Sequence, residues 1–337
     1  LHRGSDPDPP GCLMQGDEPT HPEPAGAHGH EPVLLEAALE ALQPGPGGTM
    51  VDCTAGRGGH AAALGRSVGS SGQVVLFDLD PGNLAYAAKR VESTGGGQAV
   101  PIGRSFAAVG RELSRRGLVA NGLLADLGFA SNQVDDPTRG LSLKAEGPLD
   151  MRLDPAIPTS AKDLLARLDH AELRGLIRRY GEDPAADRIA RKIVEKRRDK
   201  PIETTTHLAR LVREAYGSRA RESRVHPATR TFQALRIAVN DELGALEALL
   251  AEVEAAAQLV RDGASGWLAP GARIVIIGFH SLEDRMVKQR FAAMDRAGLL
   301  GDRSRKPVVP SHEETRANAR ARSAKLRWAK VGPSEPR

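Results

Sequence analysis

Short apolar runs alternate with segments of helical spacing along the first half of the chain. The predicted strands cover 49–53, 73–79, 99–103, 121–127 and, much later, 273–279. Helices are predicted between them, beginning near 59 and covering 81–92 and 105–116. Strands that alternate with helices in this way are typical of a parallel, doubly wound α/β sheet.

A long helical stretch separates the fourth and fifth predicted strands. Every strong periodic signal between about 160 and 260 is helical, including one continuous pattern from Phe232 to Val260. The first residues are rich in Pro, Gly, His and acidic side chains, which predicts a flexible leader. The expected organisation is a leader at 1–29, a discontinuous α/β domain at 30–158 and 262–337, and a helical insertion at 159–261.

Polar side chains stand where the predicted strands end. Asp52, Asp78 and Asp126 each close an apolar run, and His280 follows the strand at 273–279. In open α/β sheets, ligands bind at the carboxyl ends of the strands. The sequence therefore predicts a site along this edge of the sheet.

A glycine-rich loop follows the first strand and precedes the first sheet helix. Gly56, Gly58 and Ala61 satisfy the spacing of a dinucleotide fingerprint, and Asp78 lies about 20 residues downstream, where a carboxylate accepts ribose hydroxyls. This spacing alone fits NAD, S-adenosylmethionine or a purely structural turn. Asp52 favours S-adenosylmethionine, because a carboxylate repels a pyrophosphate but suits an ammonium and a sulfonium.

Charge is distributed unevenly along the chain, whose formal net charge is +4. The first 150 residues carry 11 basic and 18 acidic side chains, and the rest carry 36 and 25, from totals of 47 and 43. The densest basic segment is 303–330. It indicates contact with nucleic acid, and the alternative is a solvated, partly disordered tail.

Cysteine usage and hydropathy exclude several classes of protein. Cys12 and Cys53 are the two cysteines, and their separation indicates neither a disulfide framework nor a zinc site, so no metal is expected. No apolar run approaches the length of a membrane span, and the first residues lack the pattern of a signal peptide. We expect a cytoplasmic protein.

Nine ordered motifs resemble the ribosomal RNA small subunit methyltransferase H family, also called RsmH or MraW, over about residues 30 to 330. They begin with His30-Glu-Pro-Val-Leu-Leu35 and Asp52-Cys-Thr-Ala-Gly-Arg-Gly-Gly-His60. The others are Asp126-Leu-Gly-Phe-Ala-Ser-Asn-Gln133, Arg139-Gly140, Gly147-Pro-Leu-Asp-Met-Arg152, Tyr180-Gly-Glu182, the segments 226–237 and 318–327, and Phe279-His-Ser-Leu-Glu-Asp-Arg285. Three positions depart from the family pattern: Phe129 and Ala130 replace Val and Ser, and Gly278 replaces Ser.

The resemblance implies a class I methyltransferase fold with a helical insertion, and S-adenosylmethionine as the donor. It implies N4 methylation of a cytidine, position 1402 in the usual numbering, in the decoding region of 16S ribosomal RNA. The partner would be 16S ribosomal RNA or the small ribosomal subunit. The family's donor contacts map onto Gly58, Gly59, His60, Asp78, Phe106, Asp126 and Gln133.

The catalytic groups are less clearly indicated than the donor pocket. Cytosine N4 is a poor nucleophile that must also lose a proton, and Asp126 or Asp150 is the candidate acceptor. His280 is a candidate proton relay or a supporting hydrogen-bond partner. RNA contacts are predicted at Arg224, Arg230 and Arg236, with ordinary surface charge as the alternative for each.

Three other functions remain open at the level of sequence. A nicotinamide oxidoreductase would bind NAD at the same loop. A ribosome assembly factor would keep the basic surface and bind RNA without catalysis. A DNA amino methyltransferase is disfavoured, because Asp126-Leu-Gly-Phe129 lacks the Pro-Pro pair found there in many amino methyltransferases.

Overall fold

A seven-stranded sheet organises the computed structural model, which describes residues 32–129, 133–134, 136–143, 145–220 and 226–332. The strand order is β3-β2-β1-β4-β5-β7-β6; the first five are mutually parallel, and β7 is antiparallel to both neighbours. The strands are β1 Thr49–Asp52, β2 Gln73–Phe77, β3 Gln98–Ile102, β4 Ala120–Asp126, β5 Leu268–Gly278, β6 Leu300–Arg303 and β7 Lys325–Val331. This order confirms the predicted α/β methyltransferase fold class.

Helices precede, connect and follow the strands. Before β4 they are α1 Leu35–Leu42, α2 Gly59–Val68, α3 Pro81–Glu92 and α4 Val109–Arg115. Between β4 and β5 they are α5 Ala161–Arg167, α6 His170–Gly181, α7 Ala186–Asp199, α8 Thr205–Tyr216, α9 Thr229–Asn240 and α10 Glu242–Arg261. After β5 come α11 Ser281–Arg296 and α12 His312–Ala317.

The sheet is covered on both faces, which explains why its strands are almost continuously apolar. In β5, Ile274 and Ile276 enter the core cluster on one face. Val275 and Ile277 enter the cluster on the other face, which contains α1 and α2. Because apolar clusters cover both faces of the sheet, polar groups that bind a ligand are expected at the carboxyl ends of its strands.

Helices α5 to α9 share a third core cluster, which also includes Leu149 and Met151. Helix α10 instead packs on the sheet through Leu246, Leu249 and Val253. The chain breaks between α9 and α10 at Asp241, where φ is 48°. The continuous helical pattern predicted from Phe232 to Val260 is therefore two helices, and the second belongs to the sheet core.

The basic segment at 303–330 joins the sheet rather than forming a solvated tail. β7 pairs with β5 and β6, and the sequence patterns predict neither β6 nor β7. Arg327 is buried, and its Nε lies 2.7 Å from Asp284 Oδ1. Other cations of the segment are exposed: Arg305, Lys306, Arg316 and Arg322.

The predicted leader at 1–29 lies outside the described residues. Within the part that is described, no helix has both the length and the apolar character needed to cross a membrane.

Candidate active site

Three carboxylates meet at the carboxyl edge of the sheet. β1 is parallel to β2 and β4, so Asp52 and Asp126 end neighbouring strands, and Asp78 follows the end of β2. Burial raises the pKa of Asp52 to about 7, with a further contribution from the charge of Asp78. Burial also raises the pKa of Asp78. It raises the pKa of Asp126 well above its usual range, and the charges of Asp52 and Glu283 raise it further. Ionisation of these carboxyl groups is therefore disfavoured in the ligand-free protein, and a bound cation would stabilise their ionised form.

Hydrogen bonds fix the glycine loop to these strand ends. The Thr54 amide donates to Asp52 Oδ1 at 3.1 Å, and Thr54 Oγ1 accepts from the Asp126 amide at 2.7 Å. The Gly56 amide donates to Asp78 Oδ2 at 2.8 Å. The loop and the three acidic residues thus form one connected unit.

Gly58 and Gly59 lie where the loop passes close to its neighbours. Gly58 has a φ of +70°, and a Cβ there would lie 2.8 Å from Ala87 Cα. A Cβ on Gly59 would lie 2.5 Å from Pro32 Cγ. Packing against α3 and Pro32 therefore requires both glycines, in addition to the close approach to a ligand that their sequence pattern indicates.

We expect Gly58→Ala to lower the free energy of unfolding by more than Gly95→Ala does. Gly95 has a similar φ of +65°, but a Cβ at this position would meet nothing within 4 Å, so its replacement costs about 1 kcal/mol of backbone strain. Gly58→Ala adds the displacement of Ala87. Urea unfolding of both variants without ligand measures the difference, and equal losses would contradict the packing explanation.

His60 is a buried, neutral imidazole. Its Nε2 lies 3.0 Å from the Val33 carbonyl oxygen, which requires Nε2 to carry the proton. Burial lowers the pKa of His60 to about 4. Nδ1 lies 3.7 Å from Asp126 Oδ2, so this contact joins a neutral ring to the carboxyl group and is not an ion pair at neutral pH.

Asp126 Oδ1 is buried and has no hydrogen-bond partner within the described residues. A buried acceptor without a partner is costly, so this oxygen is poised to receive a donor or a positive charge from a ligand. Two other predicted donor contacts follow neighbouring parts of the sheet. Phe106 lies after β3 and is half-buried against the sheet core, and Gln133 lies after β4 and is buried. These residues fit a ligand with a cationic reactive end.

His280 caps the first turn of α11 at the tip of β5. Its Nδ1 accepts from the Glu283 amide at 3.4 Å, and Glu283 Oε2 accepts from the Phe279 amide at 2.8 Å and the His280 amide at 3.2 Å. His280 Nε2 lies 3.2 Å from Glu283 Oε1, without the geometry of a hydrogen bond. Burial would raise the pKa of Glu283, but its contacts with His280 lower it overall. His280 is therefore held by reciprocal hydrogen bonds with Glu283. The three-residue spacing of a capping box, visible in the sequence, could have identified this pair.

Arg236 forms a paired, largely buried contact with Glu242. Arg236 Nε and Nη2 donate to the two carboxylate oxygens, each at 2.7 Å. This pairing argues against the prediction that Arg236 contacts a phosphate. Glu242, His280 and Glu283 place ligand atoms within 4.8 Å of one another, but Arg236 already balances the charge of Glu242.

Asp150 is held by its neighbour Arg152. Arg152 Nε and Nη2 donate to the two Asp150 oxygens, each at 2.8 Å. The hydrogen bond from Arg152 lowers the pKa of Asp150. Both oxygens are engaged by a cation, which argues against Asp150 as the group that takes a proton.

The segment around Asp150 connects the sheet edge to α9. Arg139 Nη2 lies 2.6 Å from Asp80 Oδ2, and the Arg139 carbonyl accepts from the Met151 amide at 3.0 Å. Asn240 accepts from the Leu153 amide at 2.7 Å and donates to the Met151 carbonyl at 2.8 Å. The motif at Arg139 is visible in the sequence, whereas no local pattern singles out Asn240.

The structure describes one of the two remaining predicted RNA contacts, Arg230. Arg230 is exposed, and its Nη1 donates to the Glu182 carbonyl at 2.9 Å. The Glu182 carboxylate accepts from Ser281 Oγ at 2.5 Å and from Arg285 Nη2 at 2.9 Å. Arg230 therefore lies beside a contact between α6 and α11, and Arg224 lies outside the described residues.

Comparison with known proteins extends over nearly the whole chain. Residues 27–331 match the family model described as the MraW methylase family. A putative rRNA-methylase from Clostridium thermocellum matches over 89% of this chain and 98% of its own, with 14% identity and a TM-score of 0.37, which is too distant to support an argument.

Curated relatives match more closely, and each is named Ribosomal RNA small subunit methyltransferase H. The protein from Heliobacterium modesticaldum is 43% identical, covering 89% of this chain and 97% of the relative. Those from Thermomicrobium roseum and Halorhodospira halophila are 45% and 44% identical, covering 89% and 94% of this chain and 93% and 97% of the relatives. The chain therefore belongs to the MraW methylase family, and its methyl donor is S-adenosylmethionine.

Proposed function

We propose that the protein methylates N4 of a cytidine in the decoding region of 16S ribosomal RNA, at position 1402 in the usual numbering. The observation that carries this proposal is the buried, unpartnered Asp126 Oδ1 at the acidic edge of the sheet. The relatives named above act, by their names, on small-subunit ribosomal RNA. Such a substrate would also place the protein in the cytoplasm.

S-adenosylmethionine supplies an electrophilic methyl group next to a sulfonium. Asp52 and Asp126 would face the positive end of the donor, and Asp78 would accept hydrogen bonds from its ribose. Gly58, Gly59, His60, Phe106 and Gln133 complete the proposed donor contacts. The closed faces of the sheet limit access of water from behind this edge.

Asp126 is the proposed acceptor for the N4 proton. An amino group that accepts a methyl must shed a proton, and an oxygen with a free lone pair is needed within hydrogen-bond reach. Asp126 Oδ1 has that lone pair, whereas both Asp150 oxygens are engaged by Arg152. We propose His280 as a positioning residue that fixes Glu283, whose charge contributes to the raised pKa of Asp126.

RNA binding is proposed for the exposed cations outside the pocket. A cytidine amino group in a duplex is paired, so the target base must be unpaired or turned out of its stack. Phosphates on either side would then contact Arg230, Arg305, Lys306, Arg316 and Arg322. The helical segment at 159–261, which we propose as a substrate-recognition insertion, would provide Arg230.

Mass mapping of nucleosides tests the function directly. The full chain is incubated with S-adenosylmethionine and either 16S RNA or small subunits from cells that lack the enzyme, and a DNA copy of the target sequence serves as the control substrate. We expect N4-methylcytidine at one position in RNA and none in DNA. Methylation of another atom, or no methylation of either RNA substrate by protein that binds the donor, would overturn the proposal.

A further inference from the structure

Phe129 is an exposed aromatic residue in the loop that follows β4. It follows Asp126 by three residues, and 38% of its surface remains accessible. The Leu127 amide donates to the Ile277 carbonyl at 2.9 Å, and Gly128 turns the chain with a φ of +113°. The ring therefore belongs to a loop that remains attached to the end of β5 and directly follows the strand that ends at Asp126.

Arg236 covers one face of the Phe129 ring. Its Cζ lies 4.6 Å from the ring centroid, which is within the range of a cation–π contact. The guanidinium is held by both oxygens of Glu242, and the Arg236 carbonyl accepts from Asn240 Nδ2 at 2.9 Å. A cation from α9, itself held by Glu242, therefore lies against one side of the ring.

We propose that the face of the Phe129 ring opposite Arg236 is the platform on which the target base stacks. This inference rests on the proposed function, because it assigns a position to the base that Asp126 would receive. Bases turned out of a stack are commonly held against aromatic side chains, and a ring backed by a cation is oriented before the base arrives. Phe129 would fix the plane of the pyrimidine, while Asp126 would engage its amino group.

The position departs from the usual family pattern, which has valine there. A valine cannot provide a planar face, so the proposed stacking would be a property of this chain and of relatives with an aromatic residue at this position. Phe129→Val is therefore an informative replacement as well as Phe129→Ala.

Steady-state kinetics with the RNA substrate tests the proposal. We expect Phe129→Ala and Phe129→Val to lower kcat/KM for RNA about tenfold, mainly through KM, and Phe129→Tyr to recover most of the loss. The Kd for S-adenosylmethionine should change less than twofold in all three. Leu259→Ala, a replacement of an exposed apolar residue on α10, is the matched control and should leave both constants unchanged.

A fluorescent substrate distinguishes stacking from general loop packing. RNA with pyrrolocytosine at the target position should be quenched when it binds the wild-type protein, and less so with Phe129→Ala. Unchanged kcat/KM in Phe129→Ala, or an equal loss in Phe129→Tyr, would overturn the inference. Failure of the wild-type protein to methylate RNA would instead overturn the proposed function.

Discussion

Asp126→Asn should lower kcat for methyl transfer by about 100- to 10,000-fold, the range associated with loss of a general base. The amide keeps the shape of the side chain but cannot take up a proton. In the ligand-free protein, burial and neighbouring carboxylates raise the pKa of Asp126 well above its usual range and favour its neutral form, so a neutral replacement should not destabilise the fold. A bound sulfonium would favour the ionised form, which is the form that takes up the proton. Single-turnover rates at saturating donor, with thermal melting at pH 8, measure the two effects.

Asp150→Asn provides the comparison for Asp126→Asn. The lowered pKa of Asp150 and its hydrogen bonds from the Arg152 guanidinium make it a structural anion, so we expect a much smaller fall in kcat. The Kd of the donor, measured by calorimetry for each variant, separates binding from turnover. A larger loss in Asp150→Asn than in Asp126→Asn would reverse the assignment of the proton acceptor.

Affinity for S-adenosylmethionine should rise about tenfold per pH unit between pH 5 and pH 7, because ionisation of Asp52 favours a cation. Its pKa of about 7 lies within the range where binding is measurable. S-adenosylhomocysteine lacks the sulfonium charge and should show a weaker dependence. Asp52→Asn should remove the part of the pH dependence that comes from Asp52. A donor affinity of the wild-type protein that stays constant from pH 5 to pH 8 would contradict the prediction.

The same carboxyl group should make the ligand-free protein less stable as the pH rises. The pKa of Asp52 is higher in the folded state than its ordinary value of 3.8, so the folded protein binds the extra proton between these values. Its contribution to the free energy of unfolding is therefore full below pH 4 and is lost as the pH approaches 7. Urea unfolding across this range, compared with Asp52→Asn, isolates that contribution.

Local patterns were sufficient to predict the strands β1 to β4 and the acidic residues at their tips. β1 and β4 end at a carboxylate, β2 ends just before one, and the parallel arrangement brings these ends to one edge. The family resemblance suggested the proposed donor contacts, including Gly58 and His60, whose packing against Ala87 and Val33 only the structure describes.

Interactions between distant segments could not be predicted from the same patterns. Arg236, Glu242 and Glu283 come together from three helices, and Arg236 is assigned to RNA at the level of sequence because nothing local identifies its partner. β7 escapes prediction for a related reason: its basic residues resemble a solvated tail until Arg327 is paired with Asp284. The break at Asp241 is similarly hidden within a continuous apolar period.

The late position of β7 has a consequence for biosynthesis. β7 pairs with β5, whose tip carries His280, and Glu314 accepts a hydrogen bond from the Leu34 amide at 2.7 Å. The edge that holds the candidate site is therefore completed only after residue 331 has emerged during translation. A nascent chain stalled before that point would leave the β5 edge unpaired, and we expect such products to be inactive and prone to self-association.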